Sequence, residues 1–545
     1  MIKVITASSL DKVFITDGPS LPENRGSMLK NEKYNFQVWI YSSRHIFDCK
    51  LKIEASEGLR VLTRGIDPVP VVFGYRPDDS DDYVICKNHE QGLYPDILRP
   101  LNPMDVTLRP YQWTGYWVTV ECTDCKASEE SVKIYLFDKD DNQLGFCEYK
   151  LEIIDCELPS SDLIYTNWVH YDCIAHYHKK ELFSKEYYEV LNRYLINLKE
   201  HGGNMLYTPI FTPALDTEIG SERDTVQLLD IEYNNGIYNF NFDKLDYFID
   251  NAQKIGFEYF EFAHFATQWG AEYCPKIIVR QDGVEHKMFG WHTRSDSKEY
   301  LDFLSQLLPA LCSYLEQKGI FDKCRFHISD EPYKDHLATY EKLSKHIKSV
   351  SPKIKTMDAI SLYDYYSGGL VDTPVVALDK TAPFRENHEN YWVYNCCTQR
   401  KNYVSNRFIN MPSQRTRILG FQLYLNNVKG YLHWGYNFYK TYLSRVYINP
   451  YSVNDGYGIF EAGDSFVVYP YEDGVINSLR HEVIYDSWQD YRALKALEKL
   501  TSRDFVLNLL KEQGMDAFEI YPKDPVWHKN FREKINAMIK SFLSA

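Results

Sequence analysis

The sequence predicts a multidomain protein of the β plus α/β class: an N-terminal β-sandwich, then a (β/α)8 barrel of the TIM type, then a C-terminal helical tail. Three observations predict it. Residues 1–157 hold short stretches of alternating apolar and polar residues between turn-rich segments, the signature of strands with one buried face. From residue 163, short apolar runs recur eight times with helical segments between most of them, as parallel strands and crossover helices require. From residue 476 the spacing turns helical. A length of 545 residues suffices for two or more domains. The expected divisions are a sandwich over 1–157, the barrel over 158–475, and a helical extension packed on it over 476–545.

The sandwich strands include NFQVWIYS (35–42), YWVTVEC (116–122) and VKIYLFD (132–138). ELPSSD (157–162) serves as the linker, and LIYTNWV (163–169) as the first barrel strand. A helix follows, with Tyr187, Val190, Leu191, Tyr194, Leu195 and Leu198 at three- and four-residue spacings and Gly202–Gly203 ending it. NMLYTPIF (204–211), FEYFEFAHF (257–265) and CRFHIS (324–329) are the next strands, separated by helices at 245–256 and 297–318. IKTMD (354–358), PVVALD (374–379), YWVYNC (391–396) and YLHWGYN (431–437) complete eight, although the link from fifth to sixth is short and poorly helical. SFVVYP (465–470) is a stray strand, and 476–500 a long helix.

Composition narrows the function. The formal net charge of −15 argues against a groove that tracks phosphates or docks on anionic lipid. No apolar run reaches the ~20 residues of a spanning helix, and the N-terminus lacks the pattern of a signal peptide. The protein is therefore expected in the cytoplasm, or exported with its leader already removed. Twelve cysteines, with CTDC (122–125) as the one C-x-x-C, give neither a zinc framework nor a redox motif in context; most read as reduced core thiols. No cofactor is expected. Phosphate-loop, dinucleotide, HExxH and GxSxG motifs are absent. Aromatic residues make up 15% of the chain, including 44 Tyr and 10 Trp. Flat rings of this kind suit either tyrosine-rich cores or the C–H faces of sugars.

Barrel chemistry gathers at the C-terminal strand ends. Those ends carry Trp168, His170 and Asp172; Tyr207 and Thr208; His264, Gln268 and Trp269; His327, Asp330 and Glu331; Asp358; Asp379; Tyr394 and Asn395; then His433, Trp434, Tyr436 and Asn437. Such a rim of carboxylates, amides and rings suits a sugar. The substrate-binding candidates are Trp434, Tyr394, Tyr436, His327, Asn395, His170, Trp168 and Asn437. His170, His176 and His178 cluster in HYDCIAHYH, and the H-x-H of His176 and His178 hints at a metal, but without a nearby third ligand loop or sugar-contact roles are preferred.

Asp330 and Glu331 are adjacent, within HISDEP. Neighbours on a strand face opposite ways, so both reach one pocket only where the strand ends and the chain turns, as Pro332 favours. Two-carboxylate glycosidases take their acids from separate places. An adjacent pair suggests that one acts as general acid/base and the other orients a 2-acetamido group that attacks the anomeric carbon itself. Three alternatives stand beside this. The dipeptide is a helix N-cap; or Glu331 is the acid and Asp358 or Asp379 the nucleophile; or the rim binds glycans without turnover.

HISDEP, GYLHWGYNFY (430–439) and GDSFVVYP…INSLRHEVIYDSWQDYRAL together resemble glycoside hydrolase family 123, over roughly residues 160–500. A preceding β-sandwich fits that family. The resemblance implies a retaining, substrate-assisted β-N-acetylgalactosaminidase with Asp330 and Glu331 as catalytic pair. Glu331 would be the acid/base, Asp330 the holder of the acetamido N–H, and Tyr394 or Tyr436 the grip on its carbonyl. Trp434 would be the wall under the sugar. Characterised members of that family tend to be exported, whereas no export signal is read here, so a leader already removed or a cytoplasmic enzyme acting on imported oligosaccharides is expected.

Overall fold

The structure is a computed structural model, describing residues 1–72, 91–103, 106–123, 125–387 and 390–544. The N-terminal part forms two five-stranded sheets. One runs in the order Ile2–Ser8, Lys33–Ser42, Gln112–Cys122, Leu59–Val71, Gly92–Pro100; the other Arg25–Lys30, Gln143–Glu157, Ser128–Phe137, Ile46–Ala55, Val106–Leu108. Pairing is antiparallel except between Arg25–Lys30 and Gln143–Glu157. The predicted period of two is what fills the gap between the sheets. Phe36, Val38 and Ile40 from one, with Val132, Ile134 and Leu136 from the other, are fully buried there. Cys122 and Cys125 of the CTDC stretch are disulfide-bonded.

The first sheet is also covered on its outer face. Ala7, Trp39, Leu98 and Trp117 pack against Leu479 and Val483 of the helix Leu479–Leu500. That helix is capped by Ser478, whose side chain accepts from His481 N, and is buried nearly all round because it lies between the sheet and the second domain. Buried ion pairs fasten it. Arg480 grips Asp96 through Nε and Nη2 at 2.8 and 3.0 Å, and Glu482 pairs with Arg64. The C-terminal segment thus bridges both domains.

Eight short parallel strands follow the linker. Ile164–Asn167, Gly430–His433, Trp392–Tyr394, Thr373–Ala377 and Met357–Ile360 form one sheet; Met205–Thr208, Tyr259–Phe262 and Cys324–Phe326 form another. A single parallel bridge, Phe326 to Thr356, joins the two on one side. On the other, Asn204 spans the gap. Its Oδ1 accepts from Tyr165 N at 2.8 Å and its Nδ2 donates to Leu163 O at 3.0 Å. The ladder therefore falls into two sheets rather than one continuous ring.

The helix Lys185–Glu200 buries Tyr187, Val190, Leu191, Tyr194, Leu195 and Leu198, the stripe that the spacing predicts. Only the five-residue helix Tyr363–Ser367 links the fifth and sixth strands. SFVVYP contributes to a hairpin, Val468–Tyr471 with Gly474–Asn477. Two further hairpins, Asp230–Asn241 and Ile277–Phe289, form a four-stranded outer sheet that was not expected. Among the described residues, no helix is long and apolar enough to cross a membrane.

Candidate active site

A cleft of about 360 Å³ opens at the C-terminal ends of the parallel strands. Trp168, Asp330, Glu331, Tyr394 and Trp434 line it, together with Leu215, Asp216, Trp269, Tyr333, Cys396, Cys397, Tyr442 and Phe460. Its volume falls in the range of small-molecule sites.

The turn after the fourth strand explains how neighbouring acids share this cleft. The ladder ends at Phe326. From there the backbone is tied to residues 265–271: Phe265 N donates to His327 O, Ala266 N to Ile328 O, and Trp269 N to Asp330 O, at 3.0, 2.9 and 2.8 Å. Ser329 Oγ donates to Thr267 O at 2.8 Å. Glu331 then takes a left-handed backbone, φ 42°, which breaks strand alternation. A non-glycine residue there costs about 1–2 kcal/mol, and Asp216 and Trp269 in the same cleft share the conformation, with φ 42° and 57°. Strain concentrated in one cavity is typical of functional sites.

Withdrawal from water raises both carboxyls above their ordinary range, Asp330 furthest. Glu331's charge lifts Asp330 further, as do Asp358 and Asp216, while the nearby His327 pulls it down. For Glu331 the counterweight is Tyr394, whose hydroxyl donates to Oε1 at 2.5 Å. The pair consequently holds a proton to higher pH than isolated acids do.

The remaining predicted residues divide sharply. Trp434 stands on the cleft wall with Nε1 donating to Asp464 Oδ2 at 3.0 Å. Trp168 lines the cleft with a buried Nε1 that has no hydrogen-bond partner among the described residues. Tyr394 lines it too, whereas Tyr436, His327, Asn395, His170 and Asn437 do not. Tyr436 points away, its hydroxyl donating to Tyr194 O and Asn197 Oδ1 of the helix Lys185–Glu200. Asn395 is consumed by Ser405 O and the Tyr431 hydroxyl. Asn437 and His170 hold one another's chain: His170 N donates to Asn437 Oδ1, and Asn437 Nδ2 to His170 O.

His327 is fully buried beneath the pair, between Glu261 at 3.0 Å and Asp358 at 3.2 Å. Burial alone would lower its pKa, but hydrogen bonds and charge from Asp358 and Glu261 outweigh it and push it up to about 9. Asp358 also accepts Ile328 N on both oxygens and the Tyr340 hydroxyl at 2.5 Å. It has no lone pair left for a nucleophile's work. Asp379, paired with Lys380 at 3.4 Å, likewise does not line the cleft.

His176 and His178 lie on the helix Tyr171–His178, not in a loop. His176 stacks on Tyr447 at 3.5 Å, and His178 binds the Tyr194 hydroxyl. The donor atoms of His264, His327 and Asp358 do lie within 4.8 Å of one another, a spacing that suits a metal ion. Both nitrogens of His327 already face carboxylates, so this group fits an ionic network better than a ligand set.

Sequence reasoning missed Asp216, Tyr333, Tyr442 and Phe460 as cleft residues. Asp216, Tyr442 and Phe460 come from long connections without periodicity, where only an aromatic-rich composition gave a signal.

The family model for the glycoside hydrolase 123 catalytic domain matches residues 168–497, more than half of the chain. The chain belongs to glycoside hydrolase family 123. It also matches, over 100% of each chain, a family 123 glycoside hydrolase from Clostridium perfringens whose structure concerns glycolipid glycan hydrolysis; identity is 16% and the TM-score 0.76. At that identity the likeness establishes the fold. A β-glucuronidase of Parabacteroides merdae is 9% identical over 90% of this chain and 52% of that one, and its TM-score of 0.33 carries no argument. No curated protein matches. The family 123 chain is thus a glycoside hydrolase acting on carbohydrate, with a sheet-rich N-terminal region before its catalytic domain.

Proposed function

We propose that this glycoside hydrolase is a retaining exo-β-N-acetylgalactosaminidase in which the substrate's 2-acetamido group is the nucleophile. The observation that carries the reading is that Asp330 and Glu331, adjacent in sequence, line one cleft, while Asp358 is fully engaged beneath it and Asp379 lies outside its lining.

Glu331 gives its proton to the leaving oxygen as the acetamido carbonyl oxygen attacks the anomeric carbon. Asp330 accepts the acetamido N–H and stabilises the oxazolinium-like intermediate. Glu331 then takes a proton from water, which opens that ring with net retention. Tyr394 is the residue left for gripping the acetamido carbonyl, since Tyr436 is bound elsewhere. Trp434 is the platform under the sugar.

In the free enzyme the stronger upward push falls on Asp330, the reverse of the expected assignment. Arrival of the acetamido N–H resolves this. A donor to Asp330 favours its anion and leaves the shared proton on Glu331, where the leaving group needs it. The substrate thus sets the protonation state that cleaves it. In this reading the two parallel sheets are the halves of a (β/α)8 barrel, with domain limits at 1–157, 158–475 and 476–545.

The test is hydrolysis of nitrophenyl β-N-acetylgalactosaminide beside its glucosamine and plain galactose analogues. Cleavage confined to acetamido sugars supports the mechanism. Equal cleavage of the plain galactoside sinks it and returns Asp379 as nucleophile; binding without product points to a glycan-binding protein.

A further inference from the structure

Asp216 is a third carboxyl in the cleft, and the mechanism above does not use it. It follows the second parallel strand and is half-buried, with φ 42°. Its neighbourhood is well built. Thr217 exchanges hydrogen bonds with the Gln268 side chain at 3.4 and 2.8 Å, and the next residue, Trp269, donates its N–H to Asp330 O. The position of Asp216 is thereby keyed to the turn that holds the acid pair.

Its own bonds are unbalanced. Oδ2 accepts Leu443 N at 3.2 Å, and its main-chain oxygen accepts Ser444 Oγ at 2.7 Å. Oδ1 takes no hydrogen bond, and the group forms no ion pair, among the described residues. The neighbouring cations are spoken for: Arg223 holds Asp172, and Arg445 holds Glu218. Burial pushes the Asp216 carboxyl up to about 7, against the pull of Leu443 N, Arg223 and Arg445, so its anion is favoured at neutral pH only when a ligand brings donors. The cleft is a sugar site, and sugars arrive as clusters of hydroxyl donors.

We propose that Asp216 is the specificity-determining carboxylate of this cleft, its Oδ1 accepting one or two ring hydroxyls of the terminal sugar. The inference rests on the glycosidase reading above and extends it. Recognition then depends on a charge-assisted bond, and a site built to take a hydroxyl rejects the analogue that lacks it. The competing role is bracing: Asp216 simply fixes the Leu443–Ser444 turn. Asn at this position can still accept Leu443 N, so bracing survives Asp216→Asn while the anionic grip does not.

The experiment measures kcat/KM for nitrophenyl β-N-acetylgalactosaminide and its 3-, 4- and 6-deoxy forms, using wild type, Asp216→Asn and Asp216→Ala. In wild type, one deoxy form should lose ~100-fold or more. In both variants the parent sugar should fall to that level, and the loss on removing that hydroxyl should vanish. If Asp216→Asn behaves as wild type, or if both variants slow all four sugars by one factor, the proposal is overturned. Turnover of plain galactosides in place of acetamido sugars would sink the substrate-assisted mechanism alone, and the deoxy series on that galactoside then scores Asp216 by the same coupling. A wild type that turns over neither sugar overturns both.

Discussion

Two clusters of acids lie on either side of Ile328, and they are built on opposite terms. Below it, Glu261, His327 and Asp358 form a closed set: His327 sits between the two carboxylates, Thr166 donates to Glu261, and Tyr340 and Ile328 N donate to Asp358. Above it, Asp330, Glu331 and Asp216 have few donors and no ion pair among the described residues, and Trp168 offers a buried N–H with no acceptor. Burial is not what separates a structural acid from a working one. The difference is whether the protein itself completes the hydrogen bonding. The lower set is finished; in the proposed reading the upper one is finished by its substrate.

The largest test of this contrast falls on the open set. Glu331→Gln and Asp330→Asn should each lower kcat ~100-fold or more on the acetamido substrate. Thermal melts of both should stay level or rise, because an awkward buried charge has gone. A matching drop in Tm would erase the distinction.

The closed set should show the converse. His327→Gln leaves two buried carboxylates without their cation and should cost about 3–5 kcal/mol in urea unfolding. The sign of its pH dependence follows from a folded-state pKa of about 9 against an ordinary 6.5. The stabilisation is whole below about pH 6.5 and disappears as pH rises through about 9. The gap between wild type and His327→Gln should therefore narrow over that interval. A gap that widens instead would mean His327 is neutral.

The smallest shift on the pH axis lies where the open set touches its one strong donor, beside whatever turnover is lost with Tyr394's proposed grip on the acetamido carbonyl. Tyr394→Phe removes a bond that holds Glu331's pKa down. The alkaline limb of the kcat/KM profile should move to higher pH, because the lost hydrogen bond had favoured the Glu331 anion. An unmoved limb would show that Glu331 does not set it.

Strand positions and the buried helix stripes were legible in the sequence because each obeys a period. The cleft was legible only in part, and parity explains which part. Tyr394 and Cys396 face the cleft while Asn395 between them does not; Leu432 and Trp434 face it while His433 does not. Naming every polar residue at a strand end therefore mixed two faces. The outer hairpins were readable and passed over: Asn235–Gly236 and Asp282–Gly283 are turn pairs with positive φ at both residues, and both sit between strand-forming runs. Asp216 and Tyr442 had no such signal, since their placement depends on contacts between long connections distant in sequence.

The helix Leu479–Leu500 also imposes a timetable. The outer face of the first sheet, with Trp39 and Trp117, is complete once residue 122 has been made, yet its cover includes Leu479 and Val483. At bacterial-like rates of about 5–20 residues per second, that face waits roughly 20–70 s on the ribosome. During synthesis the first domain is a finished sandwich with one sticky side. A fragment ending at residue 157 would keep that side for good and self-associate. Only when the helix Leu479–Leu500 has been made can that face be covered.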